Sequence, residues 1–355
     1  MINFRDNDIL FLLGAGASAD AGIPTSIKMI SEIESLIKDD PAWKEYNDLY
    51  DYMKSALFYS RGIKGHFENS LNIEDLVNSL SEIEKKEEHI IYPFIGNWNM
   101  KLLEVGGTDF ARVRSFKDLI LAKLTKWVTK QDYRPAAYYS HLLSLQKELS
   151  ARLHIFTLNY DLCLENNCKG IKLERGFDES TRQWDWRLFD ESNPGGENVK
   201  IYLYKLHGSI DWMRTPTADI TYSEDVTQVE RPLLIFGTDY KLQYIDPYLF
   251  LMYQFRRRSL EAKVVVTIGY GFGDPHINAI LAQALATRRD VKLYSVGIGI
   301  DNGRVTGTLR SQLPDKNFDD KVSLHVGPAR NFFEENLQLA TFANLFPEQR
   351  EDDPF

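Results

Sequence analysis

The stretch that most constrains the fold of this chain is ILFLLGAGASADAGIP, residues Ile9 to Pro24. Its first five residues, Ile9–Leu13, are all apolar, which predicts a buried β-strand. The glycines Gly14 and Gly16 then allow a tight turn in which backbone N–H groups can approach a ligand closely. A helix that begins after such a turn brings unpaired N–H groups and the positive end of its dipole to one place, which suits a pyrophosphate. Taken alone, the pattern indicates either a nucleotide-binding loop or an ordinary turn between a strand and a helix.

The composition narrows the class of protein. The chain has 355 residues, 43% of them hydrophobic, enough for one large or two ordinary globular domains. A formal net charge of −9 argues against a protein that mainly binds nucleic acid. The two cysteines, Cys163 and Cys168, are too few for a four-cysteine zinc site or a disulfide framework. Because the start of the sequence lacks a signal-peptide pattern and no apolar run is long enough to span a membrane, we expect a cytoplasmic protein.

Strand and helix patterns alternate along most of the chain. After Pro24, apolar residues at helical spacing predict a helix with Thr25 or Ser26 as its cap. Further strands are predicted at residues 153–157, 201–206, 233–236, 264–268, 291–296 and 322–326, with helices at 247–262 and 276–286. The alternation predicts an α/β fold: a Rossmann-like, mostly parallel sheet with helices on both faces and a large helical insertion after the first βα unit.

The insertion is marked by a long stretch without strand patterns, residues 39–150. Within it we predict helices at 73–83, capped by Asn72, at 115–130, opened by Ser115, and at 138–149. Its many aromatic residues are typical of helix packing in a core, and they leave room for a contact between subunits. The predicted organisation is therefore a sheet domain of residues 1–38 and 151–330, the insertion, and a C-terminal helix and frayed tail at 331–355.

Small, amide, carboxylate and imidazole groups follow the predicted strands as the motifs GAGAS, TLNYD, KLHGS and GYGFGD. Each motif alone has a structural explanation: Asn159 and Asp161 are common turn or cap residues, His207 could be a core histidine, and GYGFGD could simply end a strand. In a parallel sheet, however, ligands bind outside the carboxyl ends of the strands, where all these motifs would meet. Their joint occurrence therefore favours a binding or catalytic site.

The motifs GAGASADAGIP, TLNYD, KLHGS and IGYGFGDPHIN, in this order, resemble those of the Sir2 (sirtuin-like) superfamily. They are most similar to the bacterial SIR2-like domains of anti-phage defence proteins, in type to the SIR2 subunit of SIR2–HerA systems. The resemblance covers residues 9–301 apart from the insertion. It implies an NAD+ hydrolase that cleaves the nicotinamide–ribose bond, with NAD+ as the substrate and no metal.

The resemblance also implies a role for individual residues. Asn159 and His207 are the implied catalytic residues: Asn159 lies beside the nicotinamide ribose, and His207 engages ribose hydroxyls or activates the attacking nucleophile. The residues implied to bind NAD+ are Gly14, Ala15, Gly16, Ala17, Ser18, Asp20, Asp161, Gly269, Gly271, Asp274 and Asp301.

Two departures from sirtuin deacetylases separate this chain from them. The four-cysteine zinc ribbon of those enzymes is missing, and Pro24 is followed by Thr25 and Ser26 where they have Asp-Phe-Arg. A peptide substrate therefore has no evident seat, which favours hydrolysis of NAD+. The alternatives are a dinucleotide-dependent oxidoreductase and a non-catalytic module that binds NAD or ADP-ribose, with ADP-ribosylation of proteins as a minor fourth reading.

The implied activity needs restraint, because an unregulated NAD+ hydrolase would empty its own cell of the dinucleotide. The residues after Asp301 form too short a segment for a sensor domain. We therefore expect a homo-oligomer that is regulated by a partner. By resemblance to two-gene defence systems this partner is a HerA-like ATPase, with a short Argonaute as the alternative, and no membrane or direct nucleic-acid contact is expected.

Overall fold

The computed structural model of this protein describes residues 4–63, 71–85, 100–107, 109–192, 196–217, 219–235 and 246–346. The chain forms two compact units, the first of residues 1–23, 130–234 and 243–355, and the second of residues 24–129 and 235–242. By these contacts the first long helix lies in the second unit and residues 130–150 lie in the first, whereas the sequence suggested an insertion over residues 39–150.

The helices of the second unit are α1 Ser26–Asp39, α2 Pro41–Lys44, α3 Asn47–Ile63, α4 Ile73–Glu84, α5 Met100–Gly106 and α6 Ala111–Val128. Those of the first are α7 His141–Leu149, α8 Cys163–Asn167, α9 Tyr248–Glu261, α10 Pro275–Thr287, α11 Asn302–Gln312, α12 Ala329–Asn331 and α13 Leu339–Ala343. Short 3₁₀ segments lie at Ala15–Ala21, Arg134–Ser140, Trp186–Phe189, Gly196–Asn198 and Val226–Gln228, and a π turn at Phe332–Asn336. Among the helices that the structure describes, none has the length and apolarity required to cross a bilayer.

The strands of the first unit are β1 Ile9–Leu13, β2 Leu153–Thr157, β3 Lys172–Glu174, β4 Val199–Lys205, β5 Trp212–Arg214, β6 Ile220–Tyr222, β7 Val264–Ile268, β8 Lys292–Gly297 and β9 Val322–Val326. Seven of them form a parallel sheet in the order β3-β4-β2-β1-β7-β8-β9, and β5 and β6 form a separate antiparallel pair. Strands β1, β2 and β7 are buried at every position, as expected for parallel strands covered on both faces.

The order of the strands places a topological switch point beside β1. From β1 the chain moves to β2 and β4 on one side and later crosses to β7, β8 and β9 on the other. Open α/β sheets bind ligands in the crevice at such a point. The predicted α/β class with a mostly parallel sheet is confirmed, and β1, β2, β7 and β9 have the predicted limits.

Several predicted elements were wrong in their limits or existence. The strand predicted at 233–236 is not formed: Leu234 makes only one bridge, to Gly208, and residue 236 lies outside the described part. The helix predicted at 115–130 begins at Ala111, preceded by Phe110 with φ 56°, and the helix predicted at 138–149 begins at His141 after a 3₁₀ segment. Strands β3, β5 and β6 were missed.

The C-terminal segment also differs from prediction. The amphipathic stretch predicted as one helix is divided into α12, the π turn and α13. The predicted fraying concerns residues 347–355, which lie outside the described part.

The second unit has an aromatic core, as predicted. Trp43, Tyr46 and Tyr50 are buried, and the Tyr46 ring stacks on Phe116 with centroids 5.0 Å apart. Asn72 caps α4 as predicted, because its side chain accepts a hydrogen bond from the backbone N–H of Glu74. The aromatic residues of the predicted insertion at positions 67, 92, 94 and 98 lie outside the described part.

The turns after β1 and β7 contact each other backbone to backbone. The N–H of Gly16 donates a hydrogen bond to the carbonyl oxygen of Gly269 at 2.9 Å. The N–H of Gly14 donates to the carbonyl oxygen of Ile268, also at 2.9 Å. Gly269 has φ +65°, and a Cβ added there would lie 2.1 Å from the backbone nitrogen of Ala17. Glycine is therefore required at Gly269 both by its backbone angle and by the close approach of the first turn.

Replacing Gly269 should consequently destabilise the protein far more than replacing its neighbour Gly271, whose added Cβ would meet no atom within 4 Å. We expect Gly269→Ala to lower the free energy of unfolding by about 3 kcal/mol or more, and Gly271→Ala to change it by less than about 1 kcal/mol. Urea unfolding of both variants measures the difference. Equal losses in the two variants would contradict the role assigned to the contact.

Candidate functional site

Four strands end level with one another at the switch point. Leu13 of β1 is paired with Thr157 of β2 and with Ile268 of β7, and Thr157 is paired with Lys205 of β4. The four predicted motifs begin at these residues or immediately after them, so the topology brings all of them to one edge of the sheet. This edge is the candidate functional site.

The first motif and the second are joined through Ser18. Its side chain is fully buried and accepts a hydrogen bond from Asn159 Nδ2 at 3.2 Å. The backbone N–H of Asn159 donates in turn to Thr157 Oγ1 at 3.0 Å. Both the backbone and the amide of Asn159 are therefore fixed, although the side chain remains 9% exposed.

A tyrosine pair that the sequence analysis missed completes this group. The hydroxyls of Tyr139 and Ser18 lie 2.9 Å apart, and the hydroxyl of Tyr138 donates to the carbonyl of Ala17 at 2.6 Å. Burial raises the pKa of Tyr139 well above its usual range, so the phenol stays protonated. Both tyrosines come from the 3₁₀ segment Arg134–Ser140, and only the adjacency of two aromatic residues before a predicted strand could have indicated them.

His207 lies beside a carboxylate that was assigned a different role. Its Nε2 is 3.4 Å from Oδ2 of Asp274, a residue for which the resemblance implied the binding of NAD+. Asp274 also caps α10, because its Oδ1 accepts from the backbone N–H of His276 at 3.0 Å. With Nε2 turned to a carboxylate, the proton of the neutral ring belongs on that nitrogen.

The other nitrogen of His207 is buried without a hydrogen-bond partner among the residues that the structure describes. His207 is only 2% exposed. Gly208 is required by the turn: it has φ +85°, and an added Cβ would lie 2.0 Å from the carbonyl oxygen of Leu233. An unpaired ring nitrogen in a buried site is a free acceptor for a substrate hydroxyl or a water.

Asp161 lies at the start of α8. Its Oδ1 accepts from the backbone N–H of Cys163 at 2.9 Å, and its carbonyl accepts from Lys205 Nζ. Burial, together with the nearby Asp161 carboxylate, raises the pKa of the Cys163 thiol, and burial raises that of Cys168 to about 12. Both thiols are buried and protonated, so neither is a nucleophile.

Two ion pairs lie in contact with this edge of the sheet. Lys205 is 1% exposed, and its Nζ lies 3.0 Å from Oε1 of Glu165. Nη1 of Arg175 lies 2.7 Å from Oδ2 of Asp211. Burial acts to raise the pKa of Asp211, but the charges of Arg175 and Lys205 outweigh it and leave the pKa below its usual value. The Asp211 carboxylate is therefore ionised. The pair between Lys205 and Glu165 joins β4 to α8.

Other predicted site residues have contacts of their own. Asp20 accepts from the backbone N–H of Arg330 at 3.0 Å, and Asp301 caps α11 by accepting from the N–H of Arg304 at 2.8 Å. Ala15 and Asp301 are exposed, and Gly271 borders open space. These contacts tie Asp20 to the C-terminal segment and Asp301 to its own helix, whereas Ser18, Asn159, His207 and Asp274 lie in the site itself.

A small enclosed cavity lies at the same edge. Its volume of about 10 Å³ is the room of one water molecule. Asn159, Asp161, Thr157 and Tyr139 are among the polar side chains that line it. In the described residues, no group of three or more His, Cys, Asp or Glu side chains could hold a metal ion.

The chain is similar to known proteins over this region. Residues 153–311 match the sequence profile of the SIR2-like domain family. The matched segment contains Asn159, His207 and Asp274 but not the turn after β1. No curated protein matches the chain.

Solved structures of Sir2 proteins are similar in outline. One of a Sir2 homolog in complex with NAD has 14% identity and a TM-score of 0.44, covering 95% of this chain and 90% of that one. One of Sir2Tm bound to a propionylated peptide has 12% identity and a TM-score of 0.38, covering 95% and 94%. At these values the likeness carries no inference about activity. The sequence match identifies residues 153–311 as similar to SIR2-like domains.

Proposed function

We propose that this protein is an NAD+ hydrolase that releases nicotinamide and ADP-ribose. The observation that carries the proposal is that Asn159 and His207 follow neighbouring strands and are buried at one edge, each beside a polar partner. The match of residues 153–311 to SIR2-like domains supports it, since the matched segment includes both residues.

Hydrolysis of NAD+ requires an enzyme mainly to position the reacting groups and to stabilise developing charge. The nicotinamide ring of NAD+ is a cationic leaving group, so its bond to ribose C1′ breaks with the electron pair moving to the ring nitrogen. Water oxygen then adds to C1′ and the water loses one proton. The protein has to stabilise the positive charge that develops on the ribose, hold the water and accept the proton.

In this scheme the side-chain amide of Asn159 holds the attacking water or stabilises the positive charge on the ribose. Because its amide nitrogen is held by Ser18, the amide oxygen remains to accept a hydrogen bond from water or to face the developing positive charge. Asp161 adds a negative charge nearby, and the cavity of about 10 Å³ among these residues is the size of the nucleophile. Such preorganised groups typically contribute a factor of about 10² to 10³ each.

His207 supplies the acceptor for a proton. Its buried, unpartnered Nδ1 is the free basic nitrogen when Nε2 faces Asp274. We assign Asp274 as the positioning residue for this ring, in the way that a carboxylate orients a catalytic histidine in other hydrolases. Gly271 borders open space, since an added Cβ would meet no atom within 4 Å, so the rest of the dinucleotide could pass beside it.

Removing either catalytic group should abolish NAD+ cleavage without unfolding the protein. We expect Asn159→Ala and His207→Ala each to lower kcat by at least about 10²-fold, with His141→Ala and Asn317→Ala as matched controls elsewhere on the fold. Chromatography of nicotinamide released from NAD+ measures the rate. Turnover near that of the unchanged protein in either variant would remove that residue from the mechanism. Accumulation of reduced cofactor would favour an oxidoreductase, and binding without turnover a non-catalytic module.

The role of Asp274 can be separated from its role as a helix cap. Asparagine caps a helix as well as aspartate does, so Asp274→Asn should keep the melting temperature while Asp274→Ala lowers it. If the carboxylate positions His207, both variants should lower kcat about tenfold or more with little change in KM. A normal kcat in Asp274→Asn would leave the residue with a structural role only.

The biological role we propose is depletion of NAD+ as an anti-phage effector in the cytoplasm, restrained by assembly. The support is the resemblance of the motifs to SIR2-like defence proteins, and the proposed arrangement is a homo-oligomer controlled by a HerA-like ATPase or, alternatively, by a short Argonaute. The solution mass and the NAD+ turnover, each measured with and without the product of the neighbouring gene, test this. A strict monomer whose turnover ignores every such partner would contradict it.

A further inference from the structure

A larger cavity lies at the opposite edge of the sheet from the candidate functional site, near the residues where β1 begins. It has a volume of about 430 Å³, within the range of small-molecule sites. Its lining includes Asn7, two residues before β1, and Gln254 and Arg258 of α9. Because the candidate functional site follows the carboxyl end of β1, this second cavity is a separate place on the fold.

One wall of the cavity is aromatic. Trp186 is 51% exposed, and its ring centroid lies 6.1 Å from that of Phe250. Phe250 lies 5.5 Å from the buried ring of Phe189. A half-exposed tryptophan beside a second ring offers a stacking surface for a flat ligand.

Two residues of the cavity lining each carry a buried polar atom that lacks a partner among the described residues. Gln254 is 7% exposed, and its Oε1 is buried without a hydrogen bond to any part of the chain that the structure describes; the same holds for Nε of Arg258. The two residues are four apart on α9, so their side chains lie on one face of the helix. A buried polar group without a hydrogen-bond partner destabilises the fold, and a ligand that pairs with it would recover that loss.

The remaining atoms of Arg258 are already used, which fixes its position. Its Nη2 donates to Glu191 at 2.8 Å, and its Nη1 donates to Nε2 of His154 at 3.0 Å. Burial, with the charges of Arg258 and Arg152, lowers the pKa of His154 well below its usual range, so that ring is neutral and can accept the hydrogen bond. Glu191 also lies 2.7 Å from Arg152. Glu191 is therefore shared by two guanidinium groups, and the Nε–H of Arg258 remains as an unused hydrogen-bond donor.

We propose that this cavity binds the nucleobase of a nucleoside or nucleotide. A nucleobase is flat enough to lie against Trp186 and Phe250, and it carries adjacent hydrogen-bond donors and acceptors along its edge. A glutamine amide pairs well with such an edge, as in its contacts with adenine. The donor at Arg258 and the acceptor at Gln254 match that pattern. The proposal does not depend on the activity proposed for the other edge.

Binding of adenosine, guanosine, cytidine and uridine to the full chain, measured by isothermal titration calorimetry, tests the proposal. We expect at least one nucleoside to bind. Trp186→Ala and Gln254→Leu should each weaken it at least tenfold. Tyr253→Ala, an exposed aromatic on α9 outside the lining, should leave the affinity unchanged.

A variant of the other edge identifies which site is occupied. Asn159→Ala should leave nucleoside binding unchanged, since that residue belongs to the candidate functional site. Loss of binding in Asn159→Ala with normal binding in Trp186→Ala would overturn the proposal, as would the absence of binding by all four nucleosides. Because the assay needs no NAD+ cleavage, its result is independent of whether the protein is an NAD+ hydrolase.

Discussion

The site depends first on the contact between two backbone turns. Gly14 and Gly16 after β1 hydrogen-bond to the end of β7 and to Gly269, with no side chains between them. The contact closes the switch point of the sheet and fixes the 3₁₀ segment that carries Ser18. Ser18 then fixes the amide of Asn159, so the geometry of a predicted catalytic side chain is set by two turns that contribute no side chain to the chemistry. The N–H of Gly16 is already used by Gly269, so it is the packing of the turn, as much as any ligand, that calls for glycine there.

Much of the fold could be predicted from the sequence because its central strands are buried on both faces. Strand β1 is a continuous apolar run, and β2 and β7 are mostly apolar, so all three are easily recognised. The three-residue strands β3, β5 and β6 carry no comparable pattern, since edge pairing and local packing decide them. The run at 233–236 was wrongly predicted as a strand because apolar residues alone do not say what they pair with: Leu234 bridges the turn residue Gly208.

The sequence could predict which residues meet at the site but not what they touch. The rule that ligands bind outside the carboxyl ends of parallel strands requires only that the ends of the strands be known. Asn159, His207 and Asp274 do lie at one edge. The pairing of His207 with Asp274, and the tyrosines at 138 and 139, come from segments far apart in the chain. Their contacts are set by how the loops after the strands fold back, which periodicity does not record. Whether these residues cleave NAD+ remains a prediction.

The burial of His207 has a kinetic consequence. At 2% exposure the ring meets almost no solvent, so a dinucleotide can reach it only after the edge of the sheet opens. The apparent affinity for any ligand of that site is then divided by the fraction of molecules that are open. A change elsewhere in the protein that shifts this fraction would alter turnover without touching a catalytic atom. Latency would in that case be a property of the resting conformation, and an activator would need only to bind the open form more tightly than the closed one.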